Sequence, residues 1–235
     1  MTDHPLTDEQ LDALRALDTP TVCNAIEMLV PERQGHGFTT DPLFCSRPHL
    51  PPMVGYARTA KIKASKPSTL GAEETKRLRL EYYRHVDAGP KPSVIVIEDV
   101  DEKPAFGSFW GEVQSNVHQG LGALGVVTNG TVRDLVDSAE GFQFMAAPPG
   151  PSHAYVHVVE YAVEVTVAGM TVKPGDLIHA DLHGAVVVPL DIAAKIPETA
   201  ALIARREAVI IGAAQKPGYG FDQLAEALKT AAEIH

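Results

Sequence analysis

The stretch GEVQSNVHQGLGALGVVTNGTVRD, residues 111–134, constrains this chain more than any other. It opens on Gly111-Glu112 and closes on Arg133-Asp134, with twenty residues between Glu112 and Arg133. Between the ends the pattern changes twice. Val113, Val117 and Leu121 recur at i, i+4 and i+8, which predicts a short helix. Gly122-Ala-Leu-Gly125 ends it. Val126-Val127 then reads as a short buried strand running into the turn Thr128-Asn129-Gly130. A strand packed beside the helix that precedes it brings the helix N-terminus and the strand end together. Glu112 and Arg133-Asp134 are therefore expected to meet.

That meeting has chemical content. Two carboxylates can hold a hard divalent cation such as Mg2+, directly or through its waters. An arginine beside them binds a substrate carboxylate in a bidentate way. The free N–H groups of Val113 and Gln114 at the helix start add anion contacts. These parts suit a 2-oxo acid that chelates a metal through its carboxylate and carbonyl. The same residues also fit a plainer arrangement, with Glu112 as a helix cap and Arg133-Asp134 as a surface ion pair. Spacing alone leaves both open.

Further blocks surround the stretch. Gly125-Val-Val-Thr-Asn-Gly-Thr-Val-Arg-Asp134 is followed by Val172-Lys-Pro-Gly-Asp176, Ala180-Asp181 and Gly184-Ala-Val-Val-Val-Pro189, and preceded by Leu17-Asp-Thr-Pro-Thr-Val-Cys-Asn-Ala25. Over residues 10–215 these resemble the RraA-like family. That family includes class II 4-hydroxy-4-methyl-2-oxoglutarate and 4-carboxy-4-hydroxy-2-oxoadipate aldolases, and also members that bind and inhibit a ribonuclease. Its aldolases carry an acid, twenty residues, then Arg-Asp, which here reads Glu112-x20-Arg133-Asp134.

The resemblance implies a single α/β domain over residues 1–235, an α-β-β-α sandwich of the swivelling β/α/β type. It implies homotrimers or homohexamers with the active site at a subunit interface, where a neighbour contributes an acid. Glu198, Glu207 and acids near the C-terminus are candidates for that acid. Two departures stand out. Glu112 replaces the Asp usual in the aldolases, and Asn129 replaces a turn Asp.

Composition bounds the alternatives. At 235 residues, one domain is the default. A net charge of −10 argues against nucleic acid as a partner, because phosphate binding needs a basic face. It leaves room for an acidic surface that docks on a basic protein. Cys23 and Cys45 form no CxxC pair, as expected for a reducing cytoplasm. MTDHPLTDEQ has no apolar leader region, and no apolar run is long enough to span a membrane.

Along the chain, Thr7 and Gln10 form a capping-box signal before a first helix, and Pro20 opens a second, Thr21 to Leu29. Residues 31–52 read as a long loop. Gly55–Lys63 reads as a strand, Ala72–Val86 as a helix with a solvated basic face at Lys76, Arg77, Arg79 and Arg84, and Ser93–Ile97 as a buried strand. Glu98-Asp99-Val-Asp101-Glu102 reads as a solvated acidic loop or, alternatively, a metal site. Gly120-x-Gly122-x-x-Gly125 spells a dinucleotide fingerprint. It is rejected because a helix precedes it and a strand follows, the reverse of the required order; the same order removes the case for an adenosyl-dependent methyltransferase.

Leu135–Glu140 reads as a helix and Phe142–Ala146 as a strand. Ser152-His-Ala-Tyr-Val-His157 would place His153 and His157 on one side of a strand, as metal ligands, proton shuttles or structural pillars. The family's aldolases do not show this pattern. Val158–Val167 reads as one strand, Lys173-Pro-Gly-Asp176 as a turn locked by Asp176, and His179 as structural. His183 is placed near the mouth of the site. Asp191–Val209 and Gly220–Ile234 read as helices.

The expected reaction is retro-aldol cleavage, or oxaloacetate decarboxylation, of a 2-oxo acid, each giving a pyruvate enolate. Asp134 would anchor a divalent metal, Mg2+ or Mn2+, with Glu112 holding metal-bound water and moving protons. Arg133 would bind the substrate carboxylate and stabilise the enolate, with the N–H groups of Val113 and Gln114. The alternatives are a non-catalytic regulator of a ribonuclease, and a metal-dependent lyase or hydratase acting on a sugar-derived acid.

Overall fold

The computed structural model describes residues 6–235; residues 1–5, the start of the segment expected to lack a leader, lie outside the described residues. Thr7 accepts the Gln10 N–H and Gln10 accepts the Thr7 N–H, the capping box that starts α1 (Asp8–Arg15). Asp18 accepts the Thr21 N–H, so α2 (Thr19–Leu29) begins before the expected Thr21. Within the long loop lies a two-residue strand, β1 (Phe44–Cys45). Next come β2 (Met53–Lys63), α3 (Ala72–Asp87) and β3 (Ser93–Asp99). The segment around Glu112 and Arg133 supplies β4 (Ser108–Trp110), α4 (Glu112–Gly120), β5 (Ala123–Thr128) and β6 (Thr131–Val132). β7 (Gln143–Ala146) and β8 (His157–Tyr161) follow. Two hairpins come next, β9 (Val165–Val167) with β10 (Met170–Val172), and β11 (Leu177–Asp181) with β12 (Gly184–Val188). The last helices are α5 (Ile196–Ala214) and α6 (Phe221–Ala232).

Eight strands make one sheet in the order β1-β7-β5-β3-β2-β11-β12, with β8 pairing the far half of β2. β7, β5, β3 and β2 are parallel, while β1, β8 and β11 pair antiparallel with their neighbours. The sheet curls into a half-barrel. Inside the curl, Val94, Val96, Val127 and Met145 pack on Val165, Val167 and Met170 of the β9–β10 hairpin. On the outer face, Ile95, Ile97, Val126 and Phe144 meet Tyr82 and Val86 of α3 and Trp110. Farther along that face, Val54, Tyr56, Leu177 and Val186 meet α1, α2 and the start of α5. The central strands are buried on both faces, which is why Ser93–Ile97 reads as an unbroken apolar run. Truncating one such residue, Ile95→Ala, costs about 2–5 kcal/mol.

Several expectations need correction. Leu135–Glu140 is a turn, because Arg47 from the long loop hydrogen-bonds Ser138 Oγ and the carbonyls of Ser138 and Phe142, holding the chain in another path. Val158–Val167 is two strands, broken where Ala162 adopts φ 56°. The helix expected from Asp191 starts at Ile196 after a 3-10 turn over Ala193–Lys195. In the acidic stretch Glu98–Glu102, expected to be solvated, Asp99 is buried and Asp101 half-buried while Glu102 is exposed, and among the described residues no group of three or more metal-ligating side chains forms. Asp99 accepts the N–H groups of Asp101 and Ala105, and Asp101 accepts those of Ala64 and Ser65, so these carboxylates fasten backbone. Burial pushes the Asp99 carboxyl above its ordinary range.

Other expectations hold. Asp176 accepts the Lys173 N–H at 2.7 Å and locks its turn. His179 is buried against Thr19 Oγ1 and the carbonyls of Leu14 and Leu17. Burial, with the Glu27 and Asp181 charges, pushes the Cys23 thiol up to about 11, in keeping with a packing role. α4 ends at Gly120 and β5 begins at Ala123, so the glycine pattern between them cannot be a dinucleotide loop.

Candidate active site

β4 and β6 form a short parallel pair in which Trp110 faces Val132. They lie past the C-terminal ends of β3 and β5, the side of an open α/β sheet where ligands collect. This pairing explains the twenty-residue spacing. The chain leaves β4, runs back through α4, returns through β5, turns at Asn129-Gly130, and re-enters beside its starting point as β6. Asn129 fixes the turn by accepting the Asp99 N–H at 2.7 Å and donating to the Asp99 carbonyl at 3.0 Å. An Asp cannot supply that donor.

The register then sets Gly111 beside Arg133 and Glu112 beside Asp134. Arg133 N–H donates to the Trp110 carbonyl at 3.0 Å. The Glu112 N–H faces Asp134 Oδ2 at 3.4 Å, and Arg133 Nε lies 3.4 Å from the same oxygen. Gly111 makes room for this carboxylate, since a Cβ there would sit 2.5 Å from Asp134 Oδ2. Asp134 itself adopts φ 52°, a left-handed conformation that costs a non-glycine residue about 1–3 kcal/mol and persists where its surroundings impose it. Its carbonyl accepts the Ser138 N–H at 2.9 Å, which fixes that turn.

These residues open on a cavity of about 710 Å3. Val113, Gln114, Arg133 and Asp134 line one part of it, Lys76 and Arg79 of α3 another, and His153 and His157 a third. Six of the eight candidate residues are thus gathered. The Glu112 side chain is exposed and does not line the cavity; its backbone N–H alone meets Asp134. His183, expected near the mouth of the site, lies elsewhere. It sits on the β11–β12 turn, where its N–H and Nδ1 meet Asp181 Oδ1 at 2.8 and 3.1 Å. β11 runs antiparallel to β2, so Ala180 pairs with Met53 and this turn lies at the opposite end of the sheet.

His153 and His157 do not share a strand face. A turn at Ala154, with φ 47°, separates them, and only His157 enters β8. Both reach the cavity all the same. Nδ1 of His153 lies 2.8 Å from the Ala154 carbonyl, and Nδ1 of His157 lies 2.8 Å from the Tyr155 carbonyl.

Sequence reasoning missed the part played by α3. Lys76 and Arg79, three apart and hence on one helix face, border the cavity, where a solvated stripe was expected. A cluster of basic residues on one helix in a chain of net charge −10 was the available signal. Tyr83 of the same helix donates to Gln114 Oε1 at 3.1 Å, which orients that side chain. Beneath it, His118 donates from Nδ1 to the Gln114 carbonyl and accepts the Tyr82 hydroxyl at Nε2, each at 2.7 Å. Burial lowers the His118 pKa to about 4 and raises that of Tyr82. The expected Val113–Val117 stripe is exposed, and α4 is held instead through Ser115 and His118.

The donors fit a hard divalent cation. Asp134 receives only the two long contacts at 3.4 Å, which leaves carboxylate lone pairs for a cation. Among the described residues no group of three or more His, Cys, Asp or Glu forms a ready-made cage. One or two carboxylates completed by water and substrate oxygens is the usual way Mg2+ is held. The set therefore suits Mg2+ or Mn2+ better than a closed zinc-type site.

Comparisons with known proteins bear on the family and the fold. The family model described as RraA-like: Aldolase/RraA matches residues 19–187. DlpA of Legionella pneumophila is 29% identical over 111 residues, covering 46% of this chain and 18% of DlpA. The uncharacterized protein MJ0644 of Methanocaldococcus jannaschii is 34% identical over 119 residues, 50% of this chain and 57% of that protein. The match therefore spans less than two thirds of either curated relative. Among solved structures, an uncharacterized protein from Pseudomonas syringae pv. tomato superposes with TM-score 0.70 at 23% identity, covering 98% of this chain and 97% of its own. RraAS2 of Streptomyces coelicolor, described as an unusual member of the RNase ES inhibitor RraA protein family, gives TM-score 0.66 at 23% identity, over 87% and 96%. At these identities the likeness establishes a shared fold.

Proposed function

The chain belongs to the RraA-like family, and we propose that it is a divalent-metal-dependent lyase forming a pyruvate enolate from a 2-oxo acid. The reaction is retro-aldol cleavage of a 4-hydroxy-2-oxo acid, decarboxylation of oxaloacetate, or both. The observation that carries this reading is that Arg133 and Asp134 line one cavity, with Arg133 Nε and the Glu112 backbone N–H both meeting the Asp134 carboxylate.

Bond cleavage places negative charge on the former 2-oxo oxygen. Asp134, with Glu112 through water, would hold the divalent metal, which would supply Lewis-acid stabilisation of that charge. Arg133 binds the substrate carboxylate with its planar fork, and the N–H groups of Val113 and Gln114 at the start of α4 add to the anion site. Glu112, exposed at the start of α4 between Gly111 and Val113 of the cavity wall, would relay protons between solvent and the site. Lys76 lines the cavity beside Arg79 but is exposed, without the desolvation that activates a Schiff-base lysine in an apolar pocket. That favours the metal route.

The assembly follows from the same reading. Val113 on the cavity wall, at 69% exposure, and Val136 two residues after Asp134, at 92%, are exposed apolar side chains that suit cover by a second subunit. A homotrimer or homohexamer with the site at the subunit contact fits, with exposed Glu198 or Glu207 of a neighbour as the added acid.

The alternative is a non-catalytic regulator that binds a ribonuclease. The fold shared with RraAS2 and the acidic charge favour it. It has no need of Arg133 and Asp134 set together on a cavity. Pyruvate release from oxaloacetate and from 4-hydroxy-4-methyl-2-oxoglutarate, with Mg2+ or Mn2+ against a chelator, separates the two. Metal-dependent pyruvate is expected; a folded protein that releases none with either substrate contradicts the lyase reading.

A further inference from the structure

Retro-aldol cleavage and decarboxylation leave the same enolate but differ at C4. Cleavage starts from a C4 hydroxyl whose proton must leave as the C3–C4 bond breaks. Decarboxylation expels CO2 and has no such proton to move. Arg133 and Asp134 serve the 2-oxo end, so cleavage needs a separate base elsewhere in the cavity.

We propose that His157 is the base that takes the C4 hydroxyl proton. The proposal rests on the reading of the Arg133 end as a 2-oxo acid site. Both rings line the cavity. A carbonyl oxygen only accepts, so the 2.8 Å contacts to Ala154 and Tyr155 place the ring proton on Nδ1 of each histidine. Nε2 of the neutral ring is left with a free lone pair, the form a general base requires. His157 is the better held of the two. It opens β8 in register with Lys63 of β2, the Tyr155 N–H donates to the Ala64 carbonyl at 3.1 Å, and its side chain is half-buried. His153 is exposed.

In the step, Nε2 of His157 accepts the C4 hydroxyl proton and the O–H electron pair becomes the new C4 carbonyl bond. The C3–C4 pair moves to C2–C3, and the C2 carbonyl pair moves onto oxygen. The carbonyl fragment departs, and the enolate takes a proton at C3.

The test measures both reactions in one preparation of wild type and His157→Gln, with folding checked by circular dichroism. His157→Gln is expected to slow the cleavage of 4-hydroxy-4-methyl-2-oxoglutarate at saturating substrate by about 10²-fold or more, with a far smaller drop in oxaloacetate decarboxylation. Added imidazole is expected to restore cleavage to His157→Gly. Independently of turnover, 15N shifts of the His157 ring in the wild-type protein are expected to show the Nδ1–H tautomer. Equal loss of both reactions, or undiminished cleavage, overturns the role of His157. So does a wild type that decarboxylates but cleaves no 4-hydroxy-2-oxo acid. A wild type that does neither overturns the 2-oxo acid reading itself.

Discussion

The backbone N–H of Glu112 faces the carboxylate of Asp134 at 3.4 Å, one step beyond the main-chain bond from Arg133 N–H to the Trp110 carbonyl. A helix N-terminus and a strand end are thereby locked in register, and the two acids cannot drift apart without breaking the β4–β6 pair. The site is held by backbone, so its side chains can be changed without loss of the frame.

Gly111→Ala tests that frame. Gly111 has φ −175°, which any residue adopts, so the substitution brings no backbone strain. Its Cβ would lie 2.5 Å from Asp134 Oδ2 and 3.2 Å from Arg133 Cγ. Moving these groups by a fraction of an ångström is expected to lower kcat/KM by about 10²-fold, with Tm changed by only a few degrees. Activity assays beside thermal melts check this; a fully active variant contradicts the placement of Asp134.

Arg133→Lys keeps the charge and loses the planar fork. A bidentate carboxylate contact is not conserved by that change. KM for oxaloacetate should rise and kcat should fall, with a total loss of about 10²–10³ in kcat/KM, or roughly 3–4 kcal/mol. Steady-state kinetics on the variant decide it, and an unchanged KM with unchanged kcat would remove Arg133 from the site.

How far the site could be read in the sequence depends on how local its parts are. Glu112 and Arg133-Asp134 were legible together because one helix and one strand connect them, and the turn at Asn129-Gly130 announces itself. The capping box at Thr7 and Gln10 and the turn lock at Asp176 are local in the same way. The reading failed where distant residues decide. Arg47 turns Leu135–Glu140 away from helix, and no pattern within that segment records it. Val113 and Val117 look like a buried stripe, yet α4 is fastened by polar groups. Ser115 Oγ accepts the Ala139 N–H and His118 meets Tyr82 from α3. His183 was misplaced because the antiparallel course of β11 is visible only in the sheet.

His118 makes stability depend on pH. It is buried and neutral, with a pKa lowered to about 4 against an ordinary 6.5. Below pH 6.5 the unfolded chain binds a proton that the folded chain refuses, so stability is full above that pH and falls as pH drops toward 4. Below 4 both states are protonated and the loss levels off at about 3 kcal/mol. Thermal melts between pH 4 and 7 should show this slope in the wild type and a flatter one in His118→Gln. Equal slopes would contradict the assignment.

The most direct test is the rate of pyruvate release from oxaloacetate as Mn2+ is titrated into metal-free wild type and Asp134→Ala, both verified as folded. The expected result is a rate that rises and saturates with Mn2+ in the wild type and stays at the uncatalysed level in the variant. A rate that is the same with Mn2+ and with chelator, or equal saturation in Asp134→Ala, would contradict a metal-dependent lyase centred on Asp134.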